Sequence, residues 1–103
     1  MRIGKVVGKL SLSRQHSSLD GRRWVLAVPH DLRALAGPGT AGAEEIVVVD
    51  ELGAMPGDRI GICEGMEATF PYHPEPKPVD AYNACILDDL HLDASETQRL
   101  LKP

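Results

Sequence analysis

The segment Glu45-Ile46-Val47-Val48-Val49-Asp50 limits the folds open to this chain more than any other. Its four consecutive β-branched residues are each stiff at χ1, which suits a pleated strand and opposes a helix. Acidic residues close the run at both ends, so the strand is short. Other short runs repeat the plan. Ile3 to Leu12 reads as an opening strand in which Gly4 and Gly8 mark a bend or a close backbone approach, as a tightly coiled sheet requires. Trp24 to Val28 is a second strand, introduced by the Asp20-Gly21 turn signal and ended by Pro29. Arg59 to Cys63 and Ala84 to Asp88 read as two further strands.

The connections are equally marked. Ser11 to Ser18 is polar and reads as a loop. His30 to Ala36 reads as one helical turn or an extended loop. Gly37-Pro38-Gly39-Thr40-Ala41-Gly42 breaks any regular element. Gly53 to Asp58 is a turn-rich loop, and Glu64-Gly65 turns again. Met66 to Phe70 reads as a short helical turn, after which Pro71, Pro74, Pro76 and Pro78 exclude regular helix and central strand. Ser95, with Gln98 three residues on, predicts the capped start of a short C-terminal helix. Five short strands with turns every ten to twenty residues and little helix predict an all-β barrel or sandwich. At 103 residues there is room for one domain, 1–103. A domain of this size buries only about two-thirds of the surface of its unfolded chain, so oligomer contacts would add stability.

Composition narrows the function classes. The net charge is −4, and Arg22-Arg23 is the only adjacent basic pair. Nucleic-acid binders need a positive stripe, and single-strand binders add stacking aromatics. Here the aromatics are only Trp24, Phe70, Tyr72 and Tyr82. No apolar run approaches the ~20 residues of a membrane span. Met1 to Lys5 lacks the apolar core of a signal peptide, so a cytoplasmic protein with reduced, buried Cys63 and Cys85 is expected. His16, His30, His73 and His91 have no zinc-ligand spacing. Asp88 and Asp89, like Asp50 and Glu51, are neighbours that a strand would point to opposite faces, so they cannot flank one bond together. No nucleophile elbow or phosphate loop is present. Neither an enzyme nor a cofactor or metal site is expected. The loop Gly53-Ala54-Met55-Pro56-Gly57-Asp58 is open to two readings: an ordinary connection, or a loop thinned by small residues so that another subunit can approach.

The ordered series of segments resembles one known family. Met1-Arg2-Ile3-Gly4-Lys5-Val6-Val7-Gly8 looks like the opening strand of the pentameric vertex proteins of bacterial microcompartments. Leu19-Asp20-Gly21 with Trp24-Val25-Leu26 is similar to their second strand. Val47 to Ile60 resembles their most recognisable segment, in which a strand ends in Asp and a Gly-Ala-Gly-x-Gly-acid loop follows. Glu64-Gly65-Met66-Glu67-Ala68 matches a small-residue loop. Pro78-Val79-Asp80-Ala81 with Ala84 to Asp88 resembles the closing strand. Here Met55-Pro56 stands where that family has Gly and a variable residue, the Gly37–Glu44 connection is longer, and the Glu64–Glu67 loop lacks a common serine.

The resemblance implies a five-stranded, oligonucleotide-binding-like barrel with a short C-terminal helix, assembling as a cyclic homopentamer. It implies a structural role at the fivefold corners of a microcompartment shell, beside hexameric and trimeric shell proteins. Carried over residue by residue, the tile interface falls on Gly53, Ala54, Gly57 and Asp58. Glu64, Gly65, Met66 and Glu67 are the candidates for lining the axis, where repeated carboxylates would repel small anions and raise one another's pKa. The competing readings are a small barrel module binding nucleic acid or another ligand and, third, a small enzyme.

Overall fold

A computed structural model describes residues 1–37 and 44–102 of the chain. The strands are β1 (Arg2–Leu10), β2 (Arg23–Pro29), β3 (Ile46–Asp50), β4 (Arg59–Glu64) and β5 (Ala81–Ile86). Two α-helices, α1 (Leu32–Ala36) and α2 (Ala94–Leu101), and two 3-10 segments, Ser17–Leu19 and Gly65–Tyr72, lie among and after them.

The strands close into a barrel in the order β1-β2-β3-β5-β4. All pairings are antiparallel except β3 with β5, which run parallel and meet at a single register pair, Val49 with Tyr82. This is the five-stranded topology of an oligonucleotide-binding-like barrel. Closure removes free sheet edges, which is how a short-stranded β chain avoids edge-to-edge association. Alternation along the strands fills the interior with Val6, Val25, Ala27, Val48, Ile60, Ile62 and Ala81. A bulge in β1 between Val6 and Gly8 shifts its pairing register with β2, while the inward and outward alternation along β1 continues.

The glycines of β1 and β4 have the role that a coiled sheet predicts. A Cβ on Gly4 would lie 2.6 Å from Ile62 Cδ1 and 3.2 Å from the Val28 carbonyl oxygen. A Cβ on Gly61 would lie 2.6 Å from Cys85 Sγ and 2.7 Å from Met1 Sδ. At Gly4 a side chain would press on the backbone of β2 as well as on Ile62, while at Gly61 the side chains of Cys85 and Met1 would have to shift.

Several expectations shift. The closing strand runs from Ala81 to Ile86 rather than from Ala84 to Asp88, because Ala81, Tyr82 and Asn83 pair with Glu64, Cys63 and Ile62. Glu64 is accordingly the last residue of β4, and the turn begins at Gly65 with φ 67°. The 3-10 segment continues through Pro71 to Tyr72. The start of α2 is capped by Asp93, not Ser95. Asp93 Oδ1 accepts from the Glu96 amide at 2.8 Å and from the Ser95 hydroxyl at 2.9 Å. A carboxylate there answers both the free amides and the positive end of the helix. The cysteines are free, as expected, but half-buried rather than in the core. The Gly37–Glu44 connection falls mostly outside the described residues.

Candidate functional site

The loop between β3 and β4 is built around one carboxylate. Asp50 ends β3, and its side chain is wholly buried. Its Oδ1 accepts from the Leu52 amide at 3.0 Å and from Asn83 Nδ2 at 2.9 Å. Its Oδ2 accepts from the Ala54 amide at 2.8 Å and from the Arg23 guanidinium. Arg23 then reaches past it to the Ala54 carbonyl oxygen at 2.6 Å and to Met55 Sδ at 3.6 Å. Burial alone would push the Asp50 carboxyl up. The hydrogen bonds from Asn83, Leu52 and Ala54, with the Arg23 charge, outweigh it and leave the group below the usual carboxylate range. Three elements therefore meet on Asp50: β2 through Arg23, β5 through Asn83, and the loop through its own amides.

The rest of the loop is closed in the same way. Asp58 Oδ2 accepts from the Met55 amide at 2.9 Å, and the Asp58 amide donates to the Met55 carbonyl at 2.9 Å. The Gly57 amide donates to the Val6 carbonyl at 2.8 Å, and the Val6 amide to the Asp58 carbonyl at 2.9 Å. These last two bonds stitch the loop to β1 opposite its bulge.

The four residues carried over as the tile interface thus have different situations. Gly53 and Gly57 are exposed, with φ of 83° and 97°, and a Cβ on either would meet nothing within 4 Å. Their glycines answer a left-handed backbone, while the space beside them is open. Asp58 is half-buried and braces the loop. Ala54 is fully buried within the barrel's apolar cluster and supports the loop from inside. The exposed apolar side chains are ones the motif did not single out, Leu52 and Met55, each 50 % exposed.

Glu51, the next residue, faces the other way. Its Oε1 accepts from Arg22 at 2.7 Å and from the Tyr72 hydroxyl at 2.8 Å, and its Oε2 from the Tyr82 hydroxyl at 3.1 Å. Tyr72 and Tyr82 meet edge to face with centroids 5.9 Å apart. The Arg22 guanidinium and the Lys77 ammonium lie 5.0 and 5.2 Å from the Tyr72 ring centre. Lys77 also donates to the Ser18 carbonyl at 2.8 Å. This cluster straps the proline-rich segment across the outside of the barrel. Burial, then the hydrogen bond to Glu51 and its charge, push the Tyr72 hydroxyl well above its ordinary value, and Tyr82 moves the same way for the same causes.

In the candidate axial loop, Glu64 is not a free carboxylate. Arg2 holds it with two hydrogen bonds of 2.6 and 2.9 Å, and within the single chain that pairing sets its pKa below the usual range. Met66 is 78 % exposed, and Gly65 and Glu67 are exposed beside it.

Among the described residues, no group of three His, Cys, Asp or Glu side chains could hold a metal ion. No helix there is long and apolar enough to cross a membrane. Asp88 and Asp89 follow β5 and are exposed. Asp50 and Glu51 each have their lone pairs engaged by donors, which suits bracing and leaves little for acid or base chemistry.

Comparison with known proteins bears on the same segments. The family described as "Ethanolamine utilisation protein EutN/carboxysome" matches residues 1–88. No curated protein sequence matches. Among solved structures, CcmL of Gloeobacter violaceus superposes with a TM-score of 0.76 at 27 % identity, covering 90 % of this chain and 91 % of that one. The GrpN pentameric microcompartment shell protein of Rhodospirillum rubrum gives 0.75 at 24 %, covering 90 % and 100 %. The ethanolamine utilization protein EutN of Escherichia coli gives 0.73 at 21 %, covering 89 % of each.

Proposed function

The chain belongs to the ethanolamine utilisation EutN/carboxysome family, and from that premise we propose that it is a structural subunit, not an enzyme, whose cyclic homopentamers close the fivefold vertices of a microcompartment shell. The observation that carries this is the family match across residues 1–88 on a closed five-stranded barrel. The similar GrpN structure is named as a pentameric shell protein. Membership favours this reading over a nucleic-acid or ligand-binding module. The side chains agree, since Tyr72 and Tyr82 are spent on Glu51 rather than offered for stacking.

The finer assignments are these. The protein resides in the shell in the cytoplasm. The pentamer meets neighbouring hexameric and trimeric tiles through the loop between β3 and β4. Gly53, Gly57 and Asp58 stand at the surface of that loop, and Ala54 supports it from within. The turn Gly65-Met66-Glu67 faces the fivefold axis. Because Arg2 neutralises Glu64, the acidic character of that opening rests on Glu67, and repeated five times it disfavours small anions at low salt.

A ring of identical subunits uses a heterologous interface and closes only when the rotation per subunit fits. Native mass spectrometry at micromolar protein is expected to give a pentamer. Co-expression with a hexameric tile protein is expected to give closed shells that retain the chain. Only monomer or dimer across that range, or shells that close equally well without it, would overturn the proposal.

A further inference from the structure

The geometry points to Asp50, Arg23 and Asn83 as positioning residues that hold out Leu52 and Met55 as the specificity-determining contacts of the β3–β4 loop, with a partner surface that is an apolar recess on the neighbouring shell tile. This rests on the proposed tile contact and deepens it.

Three observations carry the inference. First, residues 52–57 carry no charged side chain, and Leu52, Met55 and Pro56 are the apolar groups they expose. A loop tip of that composition fits an apolar surface, not a charged one. Exposed apolar groups clustered on a surface mark contact sites. Second, four of the loop's backbone amides are already satisfied internally. The amides of Leu52 and Ala54 go to Asp50, that of Met55 to Asp58, and that of Gly57 to Val6. These bonds fix the shape of the loop, so little freedom remains to be lost on docking. Third, Met55 lies against Arg23, the same side chain that grips Asp50 and the Ala54 carbonyl. The presentation of Met55 is therefore tied to the buried carboxylate and not only to its own rotamer preferences.

Asp50→Asn separates positioning from bulk. The amide is isosteric but has one acceptor oxygen and an NH2 group. Four donors converge on Asp50, from Leu52, Ala54, Asn83 and Arg23. The NH2 must face at least one of them, so the loop loses its bracing while the valine and isoleucine interior is untouched. The experiment measures retention of pentamers in shells formed with a hexameric tile protein. It compares the native chain, Asp50→Asn, the pair Leu52→Ser with Met55→Ser, and the triple variant.

Asp50→Asn and the serine pair are each expected to lower retention roughly tenfold, the scale of a hot-spot contact. If Asp50 acts through the two apolar side chains, the triple variant loses no more than the pair. Amide hydrogen exchange supplies a readout that a merely structural role would not give. In Asp50→Asn the Leu52 and Ala54 amides exchange faster, while those of Val25 and Val48 stay protected. Arg23→Lys keeps the charge but cannot span both Asp50 and the Ala54 carbonyl. It is expected to reproduce the effect if Asp50→Asn does not assemble. Full retention of the serine pair, additive losses in the triple variant, or uniform loss of protection would each overturn the inference. Failure of the native pentamer to enter shells would instead overturn the proposed function.

Discussion

Gly4→Ala places a methyl group in the barrel wall where the structure has no space for one. The new Cβ would sit 2.6 Å from Ile62 Cδ1 and 3.2 Å from the Val28 carbonyl oxygen. The first contact is with the end of a side chain that can turn away, but Ile62 is itself fully buried and has little room to turn into. The second is with backbone of the paired strand, at the Gly4–Pro29 and Lys5–Val28 register, and cannot yield without moving β2. Overpacking of this kind costs about 1–3 kcal/mol. Alanine also narrows the unfolded ensemble, which returns about 0.4–1 kcal/mol. The net expectation is a loss of about 1–2 kcal/mol per protomer, roughly 4–16 °C in Tm for a domain of this size. Differential scanning calorimetry at fixed protomer concentration is the assay, because assembly makes Tm concentration-dependent. Ile62→Val removes the Cδ1 that clashes. Alone it should cost about 0.5–1.5 kcal/mol, yet in the Gly4→Ala background it should cost less or restore part of the loss. An unchanged or raised Tm for Gly4→Ala, or strictly additive costs in the double variant, would refute the close-approach account of this glycine.

Further expectations concern the two acidic hubs, the Arg2–Glu64 pair and the helix cap. Asp50→Ala leaves Arg23, Asn83 and two loop amides without their acceptor, and should cost about 3 kcal/mol by chemical denaturation; a loss under ~1 kcal/mol would show that the hub is solvated. Because the folded Asp50 and Glu64 carboxyls lie below their unfolded values, they contribute stability above the ordinary carboxylate range. That contribution should fall away as pH drops below about 4, and Asp50→Asn should flatten the fall. Tyr72→Phe should loosen the strap locally, seen as faster proteolysis between Gly65 and Pro78 with the barrel intact. In the native chain the raised Tyr72 and Tyr82 hydroxyls contribute stability below pH ~10 that is lost as pH climbs above it, checked by phenolate absorbance. Asp93→Ala should fray α2 while Ser95→Ala changes little, read from amide exchange of residues 94–101.

How much of this was legible depended on whether the controlling interaction was local. The β-branched run announced β3, and the Asp20-Gly21 turn, Gly21 having φ 74°, announced the entry to β2. Gly4 and Gly8 suggested close backbone approach, and Gly4 has it. β5 was misplaced because Tyr82 and Asn83 lack a β-branched signature and owe their strand state to pairing with β4. The capping residue of α2 was misplaced by two positions, since Asp93 and Ser95 both satisfy the local rule and the bonds decide between them. Closure of the barrel through one parallel pair leaves no periodic trace, and only the family resemblance supplied it. The Asp50 hub was the least legible feature. A strand-terminal Asp reads as turn chemistry, while its partners Arg23 and Asn83 lie 27 and 33 residues away.

Asp50 and Glu51 show how one sequence fact can exclude a function and also build a structure. Asp50 ends β3 and Glu51 follows it with its side chain directed the other way, so these carboxylates do not cooperate on a single bond. The same divergence lets each serve a different side of the barrel wall. Asp50 turns inward and gathers Arg23, Asn83 and the loop amides. Glu51 turns outward and gathers Arg22, Tyr72 and Tyr82. Arg23, which pairs with Asp50 in the register of β2 and β3, and Arg22, which precedes β2, divide in the same way, each going to one acid. Two adjacent pairs of opposite charge, one inside the barrel wall and one outside it, thus fasten the β3–β4 loop and the proline-rich strap at the end of β3. The arginine pair that was too small to suggest a phosphate-binding stripe is engaged by these two acids, although the buried Arg22 Nε has no hydrogen-bond partner. The arrangement is consistent with a chain whose charged residues shape its surfaces for other protein subunits rather than for a small substrate or a nucleic acid.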